Sequence, residues 1–145
     1  MASFEDIGAR LCAIYQFFTD IGYIKSEHIC WPPHDQSTLN AEVCWESGME
    51  DWAVDLLRQL PWPGDGTGAI SLFKNSDAVQ YSDDDSVRDS RYPWMNTYGD
   101  CGGDSGVLSR DIITLSNGHG EGDYSYVLDL TTGMSYMCYI ATQRG

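Results

Sequence analysis

Residues 124–141 read Tyr-Ser-Tyr-Val-Leu-Asp-Leu-Thr-Thr-Gly-Met-Ser-Tyr-Met-Cys-Tyr-Ile-Ala, and this stretch decides the fold class of the chain. Its two ends, 124–130 and 134–141, are rich in the aromatic and β-branched residues that favour strands. Between them, Asp129-Leu-Thr-Thr-Gly133 has the length and the glycine of a short hairpin connection. The stretch therefore predicts two antiparallel strands at the C-terminal end of a sheet.

The rest of the second half predicts further short strands, and the first half predicts helices. Apolar residues recur at helical spacing in three N-terminal segments, and Gly22, Gly48 and Pro61 are placed to end them. The predicted helices are 3–21, 40–47 and 50–60, and the predicted strands are 69–73, 78–81 and 107–115. Segment 61–68 is predicted as a loop, and 83–91 suits one or two helical turns. Helices followed by a mostly antiparallel sheet define an α+β fold, here in a single domain spanning residues 1–145.

The charge balance excludes several classes of partner. The 145 residues include 22 acidic and 8 basic side chains, for a net charge of −14. Nucleic-acid backbones and anionic membranes are therefore not expected partners, because both are bound through clustered Lys and Arg. A basic protein or a hydrophobic small molecule remains as an expected partner.

Other signals point to a reduced protein without a cofactor. The five cysteines form no CxxC pair, and the N-terminus has no apolar run typical of a secretory signal. No P-loop, dinucleotide fingerprint or HExxH motif is present, so we expect no cofactor and no resident metal. These features favour a cytoplasmic location.

One glycine-rich string resembles a catalytic motif. Residues 101–106 read Cys-Gly-Gly-Asp-Ser-Gly, as around the nucleophile of trypsin-like proteases. We reject that assignment, because the protease fold needs two β-barrels and a His followed by an Asp upstream of the serine. Asp104 is kept only as an acid/base candidate in a different kind of enzyme.

A second glycine-rich string could carry acid/base or metal chemistry. His119, Glu121 and Asp123 alternate with glycines, so in an extended backbone they would share one face. One imidazole and two carboxylates can transfer protons or bind a divalent cation. The alternative is a turn whose polar side chains simply face water. A lone histidine favours the turn, and we predict no metal here.

The region 77–104 concentrates charge, with seven acidic residues against two arginines. Asp83-Asp84-Asp85 lacks the spacing of a calcium-binding loop, so a solvated acidic surface is the expected structure. Such a surface can steer a basic partner by long-range attraction.

Aromatic residues in predicted loops are the candidates for anchoring that partner. Trp31, Trp62 and Trp94 each stand beside a proline. Loop aromatics and arginines are typical of pockets and of protein-contact hot spots. They also serve equally well to cover a sheet inside the core, and both interpretations stay open. The predicted binding residues are Trp31, His34, Trp62, Arg91, Tyr92, Trp94 and Tyr98.

The C-terminal half resembles a known family. Residues 112–134, with their glycine-rich turn, Gly-Asp, Leu-Asp and Thr-Gly, are similar to the signature of SMI1/KNR4-like (SUKH) domains. The patterns at 29–34 (Ile-Cys-Trp-Pro-Pro-His) and 90–93 (Ser-Arg-Tyr-Pro) are similar to those of small fungal proteins near that group. The resemblance implies helices packed on an antiparallel sheet. It also implies a protein-binding role, such as a signalling scaffold or a toxin-neutralising immunity protein.

The sequence thus predicts an intracellular protein-binding or regulatory module. The acidic region 77–104 would attract a basic partner, and Trp62 and Trp94 would anchor it. The rival is a small cofactor-free isomerase, cyclase or dehydratase acting on a hydrophobic substrate. Its pocket would be lined by aromatics and would use His119, Glu121, Asp123 or Asp104 as acid and base.

Overall fold

A computed structural model of the chain describes residues 4–66, 68–73, 76–92, 108, 110–118, 124–130 and 134–139. These residues confirm the α+β class: helices occupy the first half, and an antiparallel sheet occupies the second. Within the described ranges, no helix combines the length and hydropathy needed to cross a bilayer. The helices are α1 (Phe4–Asp20), α2 (Ala41–Glu46), α3 (Asp51–Leu57) and α4 (Asp84–Asp89). The strands are β1 (Ile29–Cys30), β2 (Trp62–Pro63), β3 (Ser71–Phe73), β4 (Ser76–Ala78), β5 (Ile112–Gly118), β6 (Tyr124–Asp129) and β7 (Met134–Tyr139).

Helix α1 is amphipathic and ends at the predicted glycine. Gly22 has φ +79°, a conformation open to glycine without a side-chain clash. The amide of Tyr23 donates to the carbonyl of Phe18 at 2.9 Å, and the two rings lie 5.4 Å apart. This bond and its accompanying apolar contact form a Schellman motif, which satisfies a carbonyl that the helix leaves free. The end of α1 is therefore fixed by its own sequence.

Five strands form the main sheet in the order β3-β4-β5-β6-β7, and every neighbouring pair is antiparallel. The predicted hairpin is confirmed as β6 and β7. Strand β5 differs from its prediction, because it begins at Ile112 and continues through Gly118. The segment Ser116-Asn117-Gly118 stays in the sheet because each of its residues pairs with a residue of β4. The hydroxyl of buried Ser76 donates to that of Ser116 at 2.7 Å.

Two other strand assignments were wrong. Strand β4 lies at Ser76–Ala78, two residues earlier than predicted. The predicted loop 61–68 contains β2, which pairs with β1 in a separate two-stranded sheet. Trp62 in β2 is 1% exposed and belongs to the largest cluster of buried apolar residues. Proline-rich composition suggested a surface loop, but burial of the indole outweighs that local preference.

Arg91 joins separate parts of the fold from inside the protein. The residue is 1% exposed. Its Nη1 donates to the Ile112 carbonyl at 2.5 Å, its Nη2 to the Leu108 carbonyl at 3.0 Å, and its Nε to the Ser47 carbonyl at 3.2 Å. Burial lowers the pKa of the guanidinium from its ordinary value. The group still stays charged, since arginine titrates far above neutral pH.

We expect Arg91→Ala to lower the free energy of unfolding by about 3–5 kcal/mol, because it leaves several buried carbonyls without donors. Urea denaturation measures the loss. Arg88→Ala is the matched control, since Arg88 is exposed and bonds Asp85 at 3.1 Å within α4. The control should stay within about 0.5 kcal/mol of the parent chain. Equal losses in both variants would contradict the structural role of Arg91.

Candidate functional site

Two of the predicted binding residues form a stack in the core. The ring of His34 lies 3.7 Å from that of Trp62, with 26° between the planes. The edge of Trp62 meets Tyr81 at 5.8 Å, and the Tyr81 hydroxyl donates to the Thr114 carbonyl at 2.5 Å. The stack thus connects the segment after β1 to strand β5. Its members are buried, so they support the fold rather than face a partner.

The imidazole of His34 is held in one protonation state. Its Nε2 lies 2.7 Å from the Leu60 carbonyl, which can only accept, so Nε2 carries the hydrogen. Burial lowers the pKa of His34, while the Leu60 carbonyl and Asp35 act in the opposite direction. The net direction is downward, and the ring is therefore neutral at physiological pH.

Three further predicted binding residues are among the described ones, and they differ in exposure. Trp31 is half-buried, and its indole donates to the Ser26 carbonyl at 3.2 Å. Arg91 lies inside, on the carbonyls named above, whereas Tyr92 beside it is 43% exposed. The predicted residues Trp94, Tyr98, Asp104, His119, Glu121 and Asp123 lie outside the described residues.

Helices α2 and α4 lie side by side and present one acidic surface. At their start, Asn40 donates to the Asp84 carboxylate at 3.3 Å. At their end, Arg91 bonds the Ser47 carbonyl. The N-terminal ends of α2 and α4 adjoin, and so do their C-terminal ends. The two helices therefore run in the same direction. Each helix exposes carboxylates, Glu42 and Glu46 on α2 and Asp85 and Asp89 on α4. We call this the α4 surface; it comprises Glu42, Trp45, Glu46, Asp84, Asp85, Asp89 and Tyr92.

The local sequence explains how α4 forms. Asp83 precedes the helix and accepts the amide of Ser86 at 2.8 Å, which caps the N-terminus. Val87 is fully buried and anchors the helix. The exposed carboxylates Asp85 and Asp89 point away from that anchor. A run of aspartates thus becomes a short helix with one apolar attachment and an acidic outer side.

A groove of about 450 Å³ runs beside α4, between the helix and strands β4 and β5. Asp89 lines it from the helix, and Asp77 and Asn117 line it from opposite positions on the two strands. The amide oxygen of Asn117 is shielded from solvent and has no hydrogen-bond partner among the described residues. No lysine or arginine is among the described residues that line the groove. The groove therefore carries two carboxylates, Asp77 and Asp89, of which Asp77 already accepts the Ser71 hydroxyl at 2.7 Å.

Trp45 is the residue of this surface that sequence reasoning passed over. It is 46% exposed although it lies on a helix. Buried Ala41, Val43 and Cys44 form the inner side of α2, and Trp45 lies at the border of that side, exposed beside Glu42 and Glu46. Charged neighbours at helical spacing were the available signal that this indole faces solvent.

The described residues give little support to the alternative prediction of a small cofactor-free enzyme. A small apolar pocket of about 20 Å³ lies between α1 and the sheet, lined by Leu11, Tyr15, Leu72 and Leu115 among others, with no carboxylate or imidazole among its described lining residues. Within the described ranges, no group of three His, Cys, Asp or Glu side chains is arranged to hold a metal ion. The enzyme's acid/base candidates lie outside those ranges, so that interpretation stays a prediction.

A comparison of the chain with protein-family models finds no match, and comparisons with curated proteins and with solved structures find none either. The similarity to SMI1/KNR4-like domains accordingly stays a prediction from the residues quoted above.

The buried histidine predicts how stability depends on pH. The pKa of His34 is lowered in the folded chain, so below about pH 6.5 the unfolded chain binds the extra proton first. Stability should then fall as pH falls, by up to about 1.4 kcal/mol per pH unit for this one group. His34→Gln retains a donor for the Leu60 carbonyl but cannot titrate. Urea denaturation between about pH 7 and pH 5 should show a shallower decline in this variant.

His28→Gln controls for the general effect of removing an imidazole, because His28 lies outside the stack. The interpretation of His34 is wrong if the parent chain and His34→Gln lose stability in parallel over this range.

Proposed function

We propose that this protein is a protein-binding module whose α4 surface receives a basic segment of its partner. The observation that carries the proposal is the groove beside α4, which gathers Asp77, Asp89 and Asn117 without a basic residue among its described lining. A lysine or arginine side chain from a partner would complement the carboxylates of Asp77 and Asp89. Arg suits such a site particularly well, because its planar group binds carboxylates through two parallel hydrogen bonds.

The surroundings of the groove support the same proposal. The α4 surface carries the carboxylates of Glu42, Glu46, Asp84, Asp85 and Asp89, and Asp77 lies in the groove beside it. Two arginines lie nearby, and each is bonded to a carboxylate: Arg88 to Asp85, and Arg110 to Glu50 at 3.4 Å. The surface thus retains a negative excess, which accelerates encounter with a cationic protein.

Two exposed aromatics give this surface anchoring groups in place of Trp62. Trp45 is 46% exposed and Tyr92 is 43% exposed. Both stand where the ends of α2 and α4 adjoin. Aromatic side chains next to a charged rim are typical of interface hot spots, because they bury a large area at little entropic cost. We expect charge to bring the partner in and these two rings to hold it.

The groove can be tested with a flexible peptide of arginine, glycine and serine as the probe. In the doubly substituted Asp77→Asn/Asp89→Asn chain, we expect about tenfold weaker binding, equivalent to about 1.4 kcal/mol. NMR titration of the labelled protein reports both the affinity and the residues that shift. The parent's affinity should fall between about 50 mM and 300 mM salt.

Glu5→Gln/Glu27→Gln provides the matched control, since it removes the same charge from exposed positions far along the chain from the groove. This variant should bind within about twofold of the parent chain. If both double variants weaken equally, binding follows net charge alone and the assignment of the groove is wrong. Peptide-induced shifts confined to residues outside the groove and the α4 surface would also contradict it.

The anchoring role predicts a second result with a peptide that also contains tryptophan. Trp45→Ala and Tyr92→Ala should each weaken its binding by about fivefold to thirtyfold, or about 1–2 kcal/mol. Isothermal calorimetry measures the change. Tyr124→Ala, at a residue 40% exposed on β6, is the aromatic control and should bind like the parent. If neither substitution changes the affinity, Trp45 and Tyr92 do not anchor the partner.

A further inference from the structure

Helix α1 carries an apolar face that its own core does not use. Ile14, Phe17 and Ile21 are 45%, 59% and 59% exposed. Their spacing of three and four residues places them in one row along the helix. The adjacent face, with Ile7, Leu11, Tyr15 and Phe18, already packs into the buried clusters. An exposed apolar row of this kind marks an interaction site rather than core.

We propose that this row is a self-association surface, through which two copies of the chain pair α1 against α1 in antiparallel orientation. This inference goes beyond the proposed function and is independent of the α4 surface. A two-fold interface requires a surface complementary to itself. Helix α1 meets that requirement in both shape and charge.

The shape follows from where large and small residues stand on α1. Ala13 is exposed next to Phe17 on the same side of the helix. In an antiparallel pair centred on residue 15, Phe17 of each copy lies opposite Ala13 of the other. A large ring then packs over a small side chain at two symmetric places. Ile14 and Ile21 border these contacts and extend the apolar area.

The same register brings opposite charges together. Arg10 of each copy lies opposite Asp20 of the other, and both residues are exposed. Within its own chain Asp20 accepts from Gln16 at 2.9 Å, an exposed contact that leaves its carboxylate further acceptor sites. Two symmetric ion pairs would flank the apolar centre. They fix the orientation of the helices more than they add affinity.

Charge also explains why a second copy suits this face better than a basic partner. Residues 7–19 contain Arg10 and no carboxylate, in a chain whose net charge is −14. This helix face is therefore where two such chains can meet with little local repulsion. Salt screens the remaining repulsion within about 8–10 Å, so association should strengthen as salt is added. Binding of a basic segment to the α4 surface should weaken under the same change.

The expected dimer is weak. A single pair of helices buries less than the roughly 800 Å² per partner of a standard interface. We expect a dissociation constant on the order of 100 µM, which places the dimer among transient assemblies.

Sedimentation equilibrium of the full chain tests the proposal across protein concentration at about 50 mM and 500 mM salt. We expect a monomer–dimer equilibrium that shifts toward the dimer at high salt, and loss of the dimer in Phe17→Glu. Arg10→Glu alone and Asp20→Arg alone should each weaken it, and the double variant should restore it. Tyr124→Glu, an exposed aromatic away from α1, should associate like the parent. Circular dichroism confirms that each variant is folded.

Several results would overturn the proposal: a monomer under every condition, association that weakens with salt, dimerisation of folded Phe17→Glu, or no rescue in the double variant. If the chain stays monomeric and the NMR signals of α1 shift when the arginine peptide is added, the apolar row on α1 binds a basic partner instead of a second copy. These outcomes can be distinguished from failure of the proposed function. The proposed function is tested by binding of the arginine peptide to the groove, whereas self-association is tested by sedimentation without the peptide.

Discussion

The guanidinium of Arg91 donates to main-chain carbonyls of three separate segments: the end of α2, Leu108 and the start of β5. A buried carbonyl without a donor is costly, so these segments keep their positions only while Arg91 keeps its own. The neighbouring Ser90 carbonyl accepts from Thr114 at 2.5 Å, which fixes the same junction to the sheet. These bonds thus help to fix the helical half relative to the sheet, together with the apolar core that both share.

The hydrogen bonds of Arg91 explain why residues that are neighbours in sequence have different roles. Arg91 and Tyr92 are neighbours, yet one is inside and the other 43% exposed. The buried arginine holds the end of α4 against the end of α2, and this placement brings Tyr92 and Trp45 to the same end of the helix pair. The stack of His34 and Trp62 works likewise from inside, since it connects β2 and the segment after β1 to the core. Buried polar and aromatic groups therefore set the shape of the acidic surface without belonging to it.

The sequence contained enough to predict the helices, the β6–β7 hairpin and the α+β class, because these follow from periodicity, caps and turn residues that act locally. Strand β2 was not predictable in this way, since Trp62-Pro63 forms a strand only through pairing with Ile29 and Cys30. Local composition predicted an acidic surface at 77–104, and the described part of that region forms α4 with exposed Asp85 and Asp89. Its role in binding stays a prediction. The exposure of Trp45 follows from its charged neighbours at helical spacing, whereas the burial of Trp62 depends on tertiary packing that its neighbours do not specify.

The six residues of α4 are too few for a helix to persist in water by itself. Its shape comes from Val87 in the core and from Arg91 at its end, so the acidic surface exists only in molecules whose core is complete. Binding of a partner at the proposed surface would then double as a check on folding. A chain that is misfolded anywhere near the Arg91 junction would lose its interaction along with its structure, and the amount of complex in a cell would follow the folded fraction of this protein.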